Sequence, residues 1–132
     1  MAEKVDRRVR KTKAQLRAGL ARLMQKKSIK EITVKELVEE VDINRSTFYL
    51  HYTDIYQMLE KIEGELMDEI TQIMENYPLD PINNKEGSYP FIEQIFSILD
   101  DNKDICIALL GKNGDMAFVS RIEKLIAETV LH

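Results

Sequence analysis

Residues 33–52, TVKELVEEVDINRSTFYLHY, read as two short helices joined by a tight turn. Thr33 stands as an N-cap with Glu36 three residues on. That is the capping-box spacing, in which a hydroxyl and a carboxylate each satisfy an orphan backbone donor. Ile32 and Leu37 hold the positions of a hydrophobic staple across the cap. Leu37, Val38 and Val41 then fall on one helical face. Asp42 falls where the chain must turn sharply, and Asp tolerates left-handed backbone better than most residues bearing a Cβ. A second helix follows, with Asn44 as its N-cap. Its outward set is Arg45, Ser46, Thr47, Tyr49, Leu50 and His51, around one apolar anchor, Phe48. Small polar, basic and amphipathic groups in that arrangement suit a helix lying in a DNA groove better than one that only packs.

On the N-terminal side, residues 1–6 are polar and read as a frayed end. Residues 7–26 read as an amphipathic helix with Val9, Leu16, Leu20, Leu23 and Met24 on its apolar side. Lys26 and Lys27 would close it near the negative end of the helix dipole. Arg7, Arg8, Arg10, Lys11 and Lys13 come without an intervening acid. Alone, such a run is a solvated helix face; beside the two-helix unit it points to phosphate contact. Residues 28–31 form a connector.

On the C-terminal side, Asp54 is an N-cap with Gln57 in the capping-box position. A long helix is expected from Ile55 to Tyr77, because Ile55, Leu59, Ile62, Leu66, Ile70, Ile73 and Tyr77 recur at steps of three and four. At ~1.5 Å per residue it spans roughly 35 Å. Gly64 within it costs about 1 kcal/mol against Ala and is read as permitting a close helix crossing. Residues 78–88 are the clearest loop. Three further helices are expected: 89–101 with Ile92, Ile95, Phe96 and Leu99 on one face, a short one from Asp104 stopped by Gly111, and 115–131 with Phe118, Ile122, Leu125, Ile126 and Thr129 on one face. GKNGD, residues 111–115, is a turn.

The chain has 132 residues, 44% apolar and 32% charged, an ordinary globular mixture. No apolar run approaches the ~20 residues needed to cross a bilayer, and the basic N-terminus lacks the apolar core of a secretion signal. Cys106 is alone and flanked by Ile105 and Ile107, which reads as a buried structural thiol. A reducing cytoplasm is the expected setting. The net charge of −4 hides an asymmetry: residues 1–55 carry a net +5 and residues 56–132 a net −9. Only the first part is suited to meet a polyanion.

Searches for chemistry return little. His51, His132 and Cys106 do not make a metal set, and no nucleophile elbow, P-loop or dinucleotide fingerprint is present. Acidic pairs such as Asp68/Glu69 and Asp100/Asp101 lie where solvated helix faces are expected. The Met residues read as gap-fillers. No catalytic residue, metal or cofactor is assigned, and an enzyme is not expected.

Residues 8–59 resemble the N-terminal domain of the TetR family of bacterial transcription regulators. The resemblance rests on the order of parts, a basic amphipathic helix, then KEITVKELVEEVDINRSTFYLHY, then a long helix, and most specifically on the F-Y-x-H-Y ending. The segment LLGKNGD before an amphipathic helix resembles, less specifically, a small Gram-positive branch of that family. The resemblance implies that Asn44, Arg45, Ser46, Thr47, Tyr49 and His51 face DNA. The chemistry of the residues agrees. Arg45 suits guanine or phosphate, the Thr47 methyl can meet a thymine methyl, and Tyr49 and His51 reach flanking phosphates. Thr33 and the N–H groups it caps form a second anion position, with Lys35 adding charge. His51 also has a plainer reading as a half-buried packing residue, and Tyr52 is read as core. Three positions depart from the family pattern: Asp42 for the usual Gly, Ile55 for the usual Lys, and Ser46 for a frequent Gly.

The expectation is therefore an all-α chain of about seven helices. Residues 1–54 would form a three-helix, helix-turn-helix DNA-binding head, joined by the long helix to an antiparallel helical body, 55–132, for dimerisation and ligand binding. Relatives of that type continue for several more helices, so the chain is expected to be truncated or a minimal member. The expected function is a TetR-type repressor, a homodimer on a palindromic double-stranded operator, released by a small-molecule effector or partner protein. The alternative is a helical protein-interaction module with a degenerate helix-turn-helix.

Overall fold

The computed structural model describes residues 2–76 and 89–130. Among them are seven α-helices and one 3-10 turn, with no strand. They are α1 (Ala2–Met24), the turn Ile29–Glu31, α2 (Val34–Val41), α3 (Arg45–Tyr49), α4 (Ile55–Asn76), α5 (Tyr89–Asp101), α6 (Lys103–Leu110) and α7 (Met116–Val130). The all-α expectation holds. The expected loop 78–88 and the positions of Tyr77, Thr129 and Leu131 lie outside the residues whose side chains are described.

Local signals set the helix ends. Thr33 Oγ1 accepts from the Glu36 N–H at 3.1 Å, and the Glu36 carboxylate accepts from the Thr33 N–H at 3.3 Å. The box is complete, and Ile32 and Leu37 are both buried beside it. Asp42 ends α2 with φ 56° and ψ 52°, the only positive φ at a non-glycine residue among those described. Asp54 caps α4 by accepting from the Gln57 N–H at 2.7 Å. The Gln57 side chain reaches one residue further back than a standard box, to the Thr53 N–H at 2.8 Å. Asp115 caps α7, accepting from Ala117 and Phe118.

The N-terminal helix differs from its expectation at both ends. It begins at Ala2, and it stops at Met24. Lys26 and Lys27 therefore lie beyond it, and Lys27 pairs with Glu36 of α2. That ammonium holds the Glu36 carboxyl below its usual range.

One buried cluster runs through most of the molecule. Leu16, Leu20 and Met24 of α1, Leu37 of α2, Phe48 of α3, Ile55, Met58 and Ile62 of α4, Ile105 and Leu109 of α6 and Phe118 of α7 all belong to it. A second, smaller cluster joins Ile70, Ile73 and Met74 of α4 to Phe91 of α5. Arg17 ties α1 to the rest through Asn102 at 2.8 Å and Glu65 at 2.5 Å.

Three packing expectations are corrected. The close crossing is at Gly19, where α1 meets α2; nothing lies within 4 Å of a Cβ built at Gly64. Helix α5 turns Phe91, Ile95 and Ile98 inward, while Ile92, Leu99 and, at 65% exposure, Phe96 face outward. Apolar residues cover more of α5 than one face, so periodicity alone does not choose the buried edge. Cys106 is half-buried rather than buried, though burial still raises its thiol pKa.

Candidate nucleic-acid interface

Helix α3 is only five residues long, but its backbone continues in helical turns to Tyr52, whose N–H donates to the Phe48 carbonyl at 3.0 Å. Phe48 is fully buried and Tyr52 nearly so, and these two rings pin the segment to the core at 5.6 Å from one another. The opposite side is left outward. Asn44, Arg45, Ser46, Tyr49 and Leu50 are exposed, and Thr47 and His51 are half-buried. Among the described residues Arg45 forms no ion pair, so its guanidinium is free to meet an anion. Tyr49 stands edge-on to Phe48 with ring centroids 5.4 Å apart, which fixes the ring while leaving the residue 52% exposed. Leu50 is the most exposed large apolar side chain of the segment, at 78%.

Asn44 sits at the N-cap position, but its side chain makes no cap hydrogen bond. Its amide is left available. Thr33 and Lys35 lie at the start of α2, both exposed. The Thr33 hydroxyl is already engaged with the Glu36 N–H, and the Glu36 carboxylate stands at the same helix end.

The electrostatics around His51 add a residue that the sequence does not single out. Lys61 of α4 donates to the His51 carbonyl at 3.3 Å and lies 5.6 Å over the Tyr52 ring. Burial, then the charges of Lys13 on α1 and Lys61, push the His51 imidazole below its usual pKa. Cations from α1 and α4 thus flank the end of the segment that begins with α3. Ile55, where a cation stands in the resembled pattern, is buried in the core. Lys61, nearly two turns later, brings positive charge to this end of the molecule. Its only sequence signal is that it stands six positions after the core residue Ile55 on α4, too little to place it beside α3.

No helix among the described residues is long and apolar enough to cross a membrane. No family model matches the chain, and no curated protein matches it. Among solved structures it is similar to a proposed transcription regulator from Lactobacillus plantarum, with a TM-score of 0.51 and 12% identity, covering 89% of this chain and 70% of that one. At that identity the likeness is one of fold.

Proposed function

We propose that this chain is a sequence-specific DNA-binding transcription regulator of TetR type, acting as a repressor. The observation that carries the reading is the outward side of α3. Arg45, Ser46, Thr47, Tyr49 and His51 project from a rigidly anchored helix, flanked by Lys13 and Lys61. The fold likeness to a proposed transcription regulator supports it. In this reading residues 1–54 are the DNA-binding unit, and residues 55–132 the body through which two copies pair. A homodimer sets two recognition helices roughly 34 Å apart, in successive major grooves of a palindrome. An apolar cavity of about 330 Å³ among α4 to α7, walled by Leu66, Ile70, Ile98, Leu109, Phe118 and Ile122, is the place for a small effector. An effector that prefers a different helix spacing releases the operator by mass action. The reading assigns no catalysis.

Selection of bound sequences from a random duplex pool tests it. The expected result is a palindromic consensus whose affinity falls steeply with salt, by counterion release. Arg45→Ala should weaken binding and relax base preference by about 1–3 kcal/mol at one position. Retained sequence-specific binding by an Arg45→Ala/Tyr49→Ala double variant would overturn the assignment of α3. A second reading, a helical protein-interaction module, is favoured by the outward Ile92, Phe96 and Leu99 of α5. No enrichment from the pool at low salt selects it.

A further inference from the structure

A cavity of about 520 Å³ lies where the end of α1, the 3-10 turn, the first half of α4 and the loop into α7 converge. One part of its wall is apolar, made by Met24, Ile29, Leu59 and Met116, with the exposed Tyr56 ring beside them. Another part carries three carboxyls, Glu60, Glu63 and Asp115, and no Lys or Arg lines it.

Acidic side chains near one another are common on protein surfaces. Glu63 is a different case. It is the one charged residue counted as buried among those described, at 5% exposure, and its Oε2 has no hydrogen-bond partner. An unpaired buried carboxylate is costly, so something must neutralise it. In the protein by itself a proton does so. Burial first, then the neighbouring Asp115 carboxyl, push Glu63 up to about 8. Asp115 is held low by the Glu63 carboxyl beside it and by the N–H groups of Phe118 and Ala117. At pH 7 Glu63 therefore holds its proton and Asp115 is ionised. The other charged groups facing the pair are Glu60 on α4 and Arg121 on α7. The Arg121 guanidinium lies 5.5 Å over the Phe118 ring and is not part of the cavity wall.

No group of three or more His, Cys, Asp and Glu among the described residues is arranged to hold a metal ion. The wall instead matches a cation that brings its own N–H donors and an apolar tail. We propose that this cavity binds a small organic ammonium ion, with its N–H groups on Glu63 and Asp115 and its hydrocarbon against Leu59, Met116 and Tyr56. Binding exchanges the Glu63 proton for the ammonium: two charge-assisted N–H···O hydrogen bonds form, and the proton leaves to solvent. The site is distinct from the apolar cavity among α4 to α7. It borders the last turn of α1, whose Met24 carbonyl accepts from the Asn113 amide at 3.0 Å. An ammonium there joins the helix preceding the DNA-facing unit to the loop that starts α7, and the proposal does not depend on DNA being bound.

Calorimetry on the full chain tests it, with 2-phenylethylammonium and butylammonium as probes and 2-phenylethanol and 1-butanol as neutral controls. Saturable binding of the amines is expected, about tenfold or more tighter near pH 8.5 than near pH 6.5, because a bound proton must be displaced at the lower pH. Titrations in two buffers of different ionisation enthalpy should report proton release. The alcohols should bind at least about tenfold more weakly. Glu63→Gln should lower amine affinity about tenfold and remove its pH dependence, while melting no earlier than the parent, since the Gln amide can donate to Asp115. If that variant does not fold, Asp115→Asn, which retains the cap of α7, gives the same reading. Equal binding of amines and alcohols, no saturable amine binding up to about 20 mM, or unchanged affinity in both variants overturns the proposal.

Discussion

A Cβ built on Gly19 of α1 would stand 2.3 Å from Val41 Cγ1 of α2, and 3.2 Å from Leu37 Cδ1. The missing side chain is what lets the first two helices close on each other, and that contact fixes where α2 presents the turn at Asp42. Gly19→Ala gains roughly 1 kcal/mol of helix propensity but overpacks the crossing at about 1–3 kcal/mol. The expected net is destabilisation by about 1 kcal/mol, read by urea denaturation and relieved in a Gly19→Ala/Val41→Ala pair. Gly64→Ala is the internal contrast. Open space surrounds that position, so the variant should be more stable by about 0.5–1 kcal/mol.

Asp42 carries left-handed backbone at the corner between α2 and α3. A residue with a Cβ pays roughly 1–2 kcal/mol there, Asp less than most. Asp42→Gly should stabilise the chain by about 0.5–1 kcal/mol, and Asp42→Val should destabilise it by at least as much. Thermal melts of the two variants should move in opposite directions. A fall in melting temperature for the Gly variant would show that the Asp side chain does more at this corner than tolerate it.

His51 titrates below its usual value because burial and two lysines oppose its charge. A DNA phosphate beside the ring has the opposite effect. The complex then holds the proton to higher pH than the free protein, so affinity for a specific duplex should rise as pH falls below about 6.5. His51→Gln should remove that rise while keeping a hydrogen-bonding side chain. A flat affinity profile in the parent chain would place His51 away from phosphate and favour its packing role.

Glu63 gives folding stability a pH dependence of definite sign. Its folded pKa of about 8 lies above the ordinary 4.5, so between those values the folded chain holds a proton that the unfolded chain has released. This contribution is complete below pH 4.5 and is lost as pH rises to about 8. Asp115, held below its ordinary 3.8, acts in the opposite sense, and its contribution is lost only in stronger acid. Denaturant midpoints measured from pH 5 to 9 should therefore decline for the parent and decline less for Glu63→Gln.

What the sequence made legible was what depends on neighbours along the chain. The cap at Thr33 and Glu36, the cap at Asp54 and Gln57, the left-handed Asp42 and the anchoring of Phe48 are all local or periodic, and all are found in the structure. What depends on distant partners was less legible. Gly19 and Gly64 look alike in sequence, and only the arrival of α2 distinguishes them. The apolar stripe of α5 is wider than one face, so α4 decides that Phe91 goes in and Phe96 stays out. Lys61 meets His51 only because α4 folds back beside α3. Glu63 left a fainter trace. It stands four residues after Leu59 and three before Leu66, on the apolar side of α4, where an acid is out of pattern.

The buried cluster that holds Phe48 is the same one that holds Ile105, Leu109 and Phe118. A five-residue helix has almost no intrinsic tendency to persist in water, so α3 is helical only because that shared interior gives Phe48 a floor. The outward surface of α3 and the distal helices should consequently melt as one cooperative unit. A disturbance under α6 needs no relay to reach Arg45: whatever loosens the common interior also removes the footing on which the outward side chains of α3 are held in register.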